Sequence, residues 1–139
     1  MRLYNINGKL VNKNVTKYRV DWQGKSASKI QFKVKQFFET YWKYHIVYEE
    51  FPVYGTRLRV DLINFTKKIA VEVHGNQHFN FNKFFHGNSR AKYLQSMKRD
   101  WQKAEWLESN DINLVEIEEK DIENLSADFL EQNFGVFIV

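Results

Sequence analysis

Two runs of alternating apolar and polar positions, Arg57 to Asn64 and Lys68 to His74, flank the polar link Phe65-Thr66-Lys67. Period-two alternation on both sides of a short polar link predicts two strands of a hairpin. On the first strand Arg57, Arg59 and Asp61 share a face, and on the second Lys68, Ala70, Glu72 and His74 share one, because side chains alternate. A turn centred near Thr66 and Lys67 sets Asp61 directly opposite Glu72. Like charges facing across a strand pair are destabilising, so the pair calls for a cation between its members. The plainer alternative is a hairpin with a solvated polar face.

The remaining elements follow from the same kind of reading. Ser26-Ala27-Ser28 predicts a helix start, and Ile30, Val34, Phe37, Phe38 and Tyr41 recur at helical spacing as far as about Trp42. The other side of that helix carries Lys29, Lys33 and Lys35, with Gln31 and Glu39 as polar residues able to reach a site. His45 to Val53 reads as a strand with Pro52 near its end, and Glu49 and Glu50 are expected on its solvated edge. After His74 the stretch GNQHFNFNKFFHGNSRAKY is long for a connection, as functional loops often are. Its Phe79, Phe81, Phe84 and Phe85 either stack on bases or form a local satellite core. Leu94, Met97, Trp101, Ala104 and Leu107 predict a second amphipathic helix ending near Ser109-Asn110-Asp111. A strand over Ile112 to Ile117 follows, then a helix from Asp121 to about Gln132, and an apolar end, GVFIV, that either joins the core or pairs with another chain.

Residues 1 to 25 read as a basic N-terminal extension. Asn7-Gly8 suits a tight two-residue hairpin turn, since both residues tolerate positive φ. The stretch NKNVTKYRVDWQGK, with Tyr18 and Trp22, is either a nucleic-acid arm or an edge ribbon packed on the core. The predicted fold class is α+β, with helix, three strands, helix and strand in that order across a domain of residues 26 to 139.

Composition narrows the class of protein. With 139 residues, 43% hydrophobic and 17% aromatic, the chain can bury a sizeable core. It contains no cysteine, which excludes disulfides and cysteine-ligated zinc and suits a reducing, intracellular, cytoplasmic setting. No apolar run of membrane-spanning length and no signal peptide is apparent, so a membrane partner is not expected. Charge is graded: nine Lys or Arg against one acid over residues 1–35, eleven against seven over 36–105, and one against nine over 106–139. A basic front and middle suit a polyanion, with the acidic end turned away from it.

Three stretches carry a likeness to a known family: VDL around Asp61, VEVHGNQH from Val71 to His78, and RDWQKAEWL from Arg99 to Leu107 leading into INLVEIEE. In this order, over about residues 26 to 120, the chain resembles the PD-(D/E)XK nuclease superfamily. Within it the likeness is to very-short-patch-repair endonucleases and to the EDxHD homing endonucleases of phages. The resemblance implies a restriction-endonuclease-like core and a metal-dependent DNA endonuclease, phage-encoded and active in homing or nicking. It implies Mg²⁺ (or Mn²⁺) as cofactor, with Asp61 and Glu72 as metal ligands. His74 stands where most members have lysine, as in the EDxHD branch. His78 and Asp100 resemble the repair enzymes' histidine and its supporting aspartate, and Gln31 falls on the first-helix glutamate, with Glu39 a less well aligned substitute. The repair enzymes' cysteine-containing zinc site and aromatic wedge are absent, so mismatch recognition is not implied.

The chemistry suits those residue types. Mg²⁺ prefers oxygen ligands and keeps several waters, so two carboxylates on adjacent strands suit it, and histidine can take a proton near neutrality. Arg57, Arg59, Lys83, Arg90, Lys92, Arg99 and Lys103 would hold phosphates of double-stranded DNA without specifying bases. The expected assembly is a monomer or a homodimer. An HNH-type nuclease can be argued from the four histidines, but strand-borne Asp61 and Glu72 fit it poorly. The non-enzyme alternative is a catalytically inactive nucleic-acid-binding module on a nuclease fold.

Overall fold

A four-stranded mixed sheet with helices on both faces forms the centre of the molecule, seen in a computed structural model that describes residues 1–75 and 89–139. In chain order the elements are β1 (Arg2–Tyr4), β2 (Leu10–Asn12), α1 (Lys29–Trp42), β3 (Val47–Pro52), β4 (Arg59–Asn64), β5 (Ile69–His74), α2 (Ser89–Ser109), β6 (Asn113–Glu118) and α3 (Ala127–Phe134). Short 3₁₀ turns at Thr16–Tyr18 and Glu119–Asn124 complete them. β3, β4 and β5 are antiparallel neighbours, and β6 lies parallel beside β5, so the sheet order is β3-β4-β5-β6. The chain is therefore α+β, as the hydrophobic periodicity predicts.

Each sheet face buries its own core. On one face Val34, Phe38 and Trp42 of α1 pack with Leu62, Val71, Val115 and Ile117 of the sheet and with Leu130 of α3. Phe38 and Trp42, one helical turn apart, stack at 4.1 Å between centroids. The alternating end of the chain joins this core: Val136 and Ile138 are buried, Phe137 and Val139 are exposed, and the Trp42 indole donates to the Ile138 carbonyl at 3.2 Å. The other face sets Phe51, Ile63 and Ala70 of the sheet against Trp106 and Leu107 of α2.

Local chemistry sets the element ends. Ser28 caps α1 by accepting the Gln31 N–H at 3.1 Å, and Ser126 caps α3 by accepting that of Phe129 at 3.0 Å. That second cap breaks the helix expected from Asp121 to Gln132. Leu125 and Ser126 are extended, and a 3₁₀ turn precedes α3. Helical periodicity also overreaches on α2, where Leu94, Met97 and Trp101 are exposed and the packing onto the sheet is made by Trp106 and Leu107. The expected tight turn at Asn7-Gly8 is instead a wider loop. Tyr4 pairs with Leu10, Asn5 N–H bonds to the Lys9 carbonyl at 2.8 Å, and Gly8 takes the positive φ, +80°.

Residues 1 to 25 lie against the core, as an edge ribbon does. Val15 is buried with the α2-side residues, Trp22 packs on the α1-side core, and Val20 N–H bonds to the Val47 carbonyl on β3 at 3.0 Å. No helix among the described residues is long and apolar enough to cross a membrane.

The β4–β5 turn carries a strained residue that gives a direct test. Lys68 has φ +57° with an exposed side chain, a conformation costing a non-glycine residue about 1 kcal/mol. We expect Lys68→Gly to raise unfolding free energy by roughly 0.5–1 kcal/mol in urea titration; unchanged or lowered stability would show that the turn bears no such strain.

Candidate active site on the sheet

The register of the central hairpin carries the site. Leu62 pairs with Val71 and Asn64 with Ile69, so Asp61 and Glu72 face each other one step further along. They bond to each other's strands: Asp61 N–H donates to Glu72 Oε2 at 3.0 Å, and Val73 N–H donates to Asp61 Oδ2 at 2.8 Å. The same row extends outward. Glu50 sits at the level of Asp61, bracketed by the Glu49–Leu62 and Phe51–Val60 pairs, and Glu116 of β6 pairs with Glu72.

Burial makes charge on these strands costly, and two lysines answer it, one from each face of the sheet. On the α2 face, Lys103 Nζ lies 2.7 Å from Glu72 Oε1, and the Glu72 side chain is 5% exposed. Asp61, with no ion pair of this kind among the described residues, has its carboxyl pushed up to about 8, first by burial and then by the Glu72 charge, with the Val73 N–H and Lys103 pulling the other way. On the α1 face, Lys35 is 1% exposed and bonds Glu49 Oε1 at 3.0 Å, along with the carbonyls of Asp21 and Gly24. Ser26 and Gln31 donate to the other Glu49 oxygen at 2.6 and 3.0 Å. Lys35, expected on the exposed side of α1, and Glu49, expected on a solvated edge, are thus a buried, fully bonded pair.

The expected site residues are divided among several places in the fold. Asp61, Glu72 and Lys103 come together, Lys103 as a partner of the carboxylate rather than as a free phosphate contact. His74 follows Glu72 on the same face of β5, buried, with Nε2 3.5 Å from Glu116 Oε1. Gln31 belongs to the other cluster, its amide turned to Glu49 and, at 3.5 Å, to Glu50; Glu39 is taken by the Gln23 amide at 3.0 Å. Arg57, Arg59 and Arg99 are exposed, and Asp100 is half-buried on α2. The expectations for His78 and Lys83 lie outside the described residues, as do the side chains of Arg90 and Lys92. Periodicity gave no sign of Glu49, Lys35 or Glu116 as neighbours of the site. A lysine on the apolar flank of a helix, one turn from Gln31, is the one hint the chain offers.

Among the described residues no group of three or more His, Asp or Glu side chains converges as a metal cage. Among the described residues, Asp61 and Glu72 are the carboxylate pair that could hold an ion. Each carboxylate has about four lone-pair positions, and the bonds named above leave some of them open, which suits an ion that keeps much of its water.

No protein-family model matches the chain, and no solved structure matches it significantly. Over 66 residues it is 38% identical to an uncharacterized protein, 033L, of Invertebrate iridescent virus 3. The shared stretch is 48% of this chain and 34% of that protein, so the match spans about a third of the relative's length.

Two outcomes test these electrostatics. A carboxyl raised in the folded state binds a proton that the unfolded chain has released, so wild-type stability falls as pH rises from the ordinary carboxyl range, 3.8, to about 8. Asp61→Asn removes that slope. Its stability relative to wild type should therefore improve across the window, by no more than about 1.4 kcal/mol per pH unit; parallel denaturation curves at pH 5 and 7.5 would refute the raised value. Glu49→Gln should cost about 3 kcal/mol in chemical denaturation, because it strands the Lys35 ammonium in the interior.

Proposed function

We propose that this chain is a Mg²⁺-dependent endonuclease of double-stranded DNA, of the PD-(D/E)XK kind, with a restriction-endonuclease-like core. The observation that carries the reading is the desolvated Asp61–Glu72 pair, bonded across adjacent strands. Its setting supports the reading too: a helix, three antiparallel strands, a helix and a parallel strand, with the acids on the second and third strands. The motifs VDL and VEVH lie on those strands, and His74 follows Glu72 by two residues as in EDxHD homing enzymes. A viral relative is in keeping with a phage- or virus-borne gene acting inside a host cell.

Asp61 and Glu72 would hold the ion through lone pairs left over from the Val73, Asp61 and Lys103 donors. When bound, it would offset phosphate charge and lower the pKa of a water. The chain's own groups do the rest. Asp61 must lose its proton to serve as a ligand. Lys103 pairs with Glu72 and sets an ammonium beside the carboxylates. His74 lies on the same face as a proton carrier, and His78 with Asp100 forms the proposed dyad that takes the proton from the attacking water. Arg57, Arg59 and Arg99, with Lys83, Arg90 and Lys92, hold the phosphate backbone.

One observation favours a second reading, a nucleic-acid-binding module without catalysis. Gln31 supplies an amide where the family has an acid, and that amide is committed to Glu49. Supercoiled plasmid separates the two. Mg²⁺-dependent nicking, blocked by EDTA, is expected from wild type, rising with pH towards about 8 as Asp61 ionises. Asp61→Ala and Glu72→Ala should abolish it while keeping DNA binding. Binding without cleavage in any divalent metal would establish the module and overturn the enzyme.

A further inference from the structure

A groove of about 680 Å³ runs along the start of α1 and the loop leading into it, lined among others by Lys25, Ser28, Lys29, Phe32, Lys33 and Gln36. Three of its lining residues are lysines, all exposed, and none is acidic. The carboxylates nearby are engaged elsewhere: Asp21 accepts the Gln23 N–H, Glu39 accepts the Gln23 amide, and Glu49 holds Lys35. Among the described residues no carboxylate pairs with these lysines, and they present their charge outward around the half-buried Phe32 ring.

We infer that this groove seats one strand of a nucleic-acid duplex by its sugar-phosphate backbone, an inference that rests on the reading of the chain as a DNA-acting protein. Lys29 and Lys33, four residues apart, are separated by about 6 Å along the helix axis. That spacing lets the two ammoniums reach neighbouring phosphates of one strand, and Lys25 extends the row into the loop. Phe32 between them offers an apolar face to sugars. A backbone strand meets both features, whereas a small anion would use the lysines and leave the ring uncovered. A Cβ built on Gly75, just past β5, would come within 3.7 Å of Ile30 Cδ1, so the first turn of α1 abuts the end of the strand that carries Glu72 and His74.

The test uses the full chain in EDTA, so that binding is read without cleavage. Fluorescence anisotropy with a labelled duplex of about two helical turns, at salt from about 50 to 200 mM, compares wild type with the triple variant Lys25→Gln/Lys29→Gln/Lys33→Gln. A control triple, Lys9→Gln/Lys43→Gln/Lys120→Gln, removes the same charge from exposed lysines elsewhere. Circular dichroism checks that all three are folded. The groove triple should bind at least about tenfold more weakly, with the slope of log K against log salt reduced by about 2.7, near 0.9 per lost phosphate contact. If wild type binds and the groove triple matches the control, the groove assignment falls and the DNA-acting reading stands. If wild type binds no duplex, both fall. Binding of phosphatidylserine vesicles with no binding of duplex would mark the lysines as a membrane surface and likewise overturn the proposal.

Discussion

Two carboxylates forced to face each other across adjacent strands are the constraint on which this structure depends. Their opposition follows from the four-residue link between Asn64 and Ile69, since a one-residue slip would turn each strand's polar set to the opposite face. The polar pair is then buried, and burial of like charge must be answered. Lys103 of α2 does so for Glu72. For Asp61 the answer is a retained proton and the Val73 N–H. The position of α2 over the sheet is thus tied to the same pair as the hairpin, with Trp106 and Leu107 supplying the apolar anchor one turn beyond Lys103.

A similar arrangement on the opposite face gives the sheet a balanced charge. Lys35 reaches down from α1 to Glu49 and takes the carbonyls that precede the helix, so one buried ammonium joins α1, β3 and the loop at residues 21–24. Glu50, next in the chain, has φ +52°, and backbone strain of this kind tends to persist where surrounding bonds over-determine it. Here Glu49 accepts from Lys35, Ser26 and Gln31, which fixes the strand at that point.

The two clusters also bear on chemistry. Burial and the Glu72 charge push the Asp61 carboxyl up to about 8, while Glu72 itself meets Lys103 at 2.7 Å, so the two acids of the pair sit in different environments. Gln31 turns its amide to the Glu49 cluster and so joins α1 to β3.

The hairpin, its register and the facing of Asp61 and Glu72 were legible in the chain because alternation at period two and a short polar link leave little freedom. The order of helices and strands was legible for the same reason. Other features were not. Lys35 and Glu49 looked solvated because spacing along one element cannot say which charged side chain will meet an opposite charge from another. Leu94, Met97 and Trp101 continued an apolar stripe, yet all three are exposed and Trp106 and Leu107 pack on the sheet. Ser126 interrupts the acidic helix because a serine hydroxyl that caps a helix start is worth more there than one more residue of helix. By itself, then, the sequence determined the local elements and the carboxylate pair, which depend on neighbours a few residues apart. Tertiary structure alone decided which lysine answers which carboxylate and where Gln31 turns, because those bonds join residues from 14 to 31 positions apart, Lys35 with Glu49 and Lys103 with Glu72 among them.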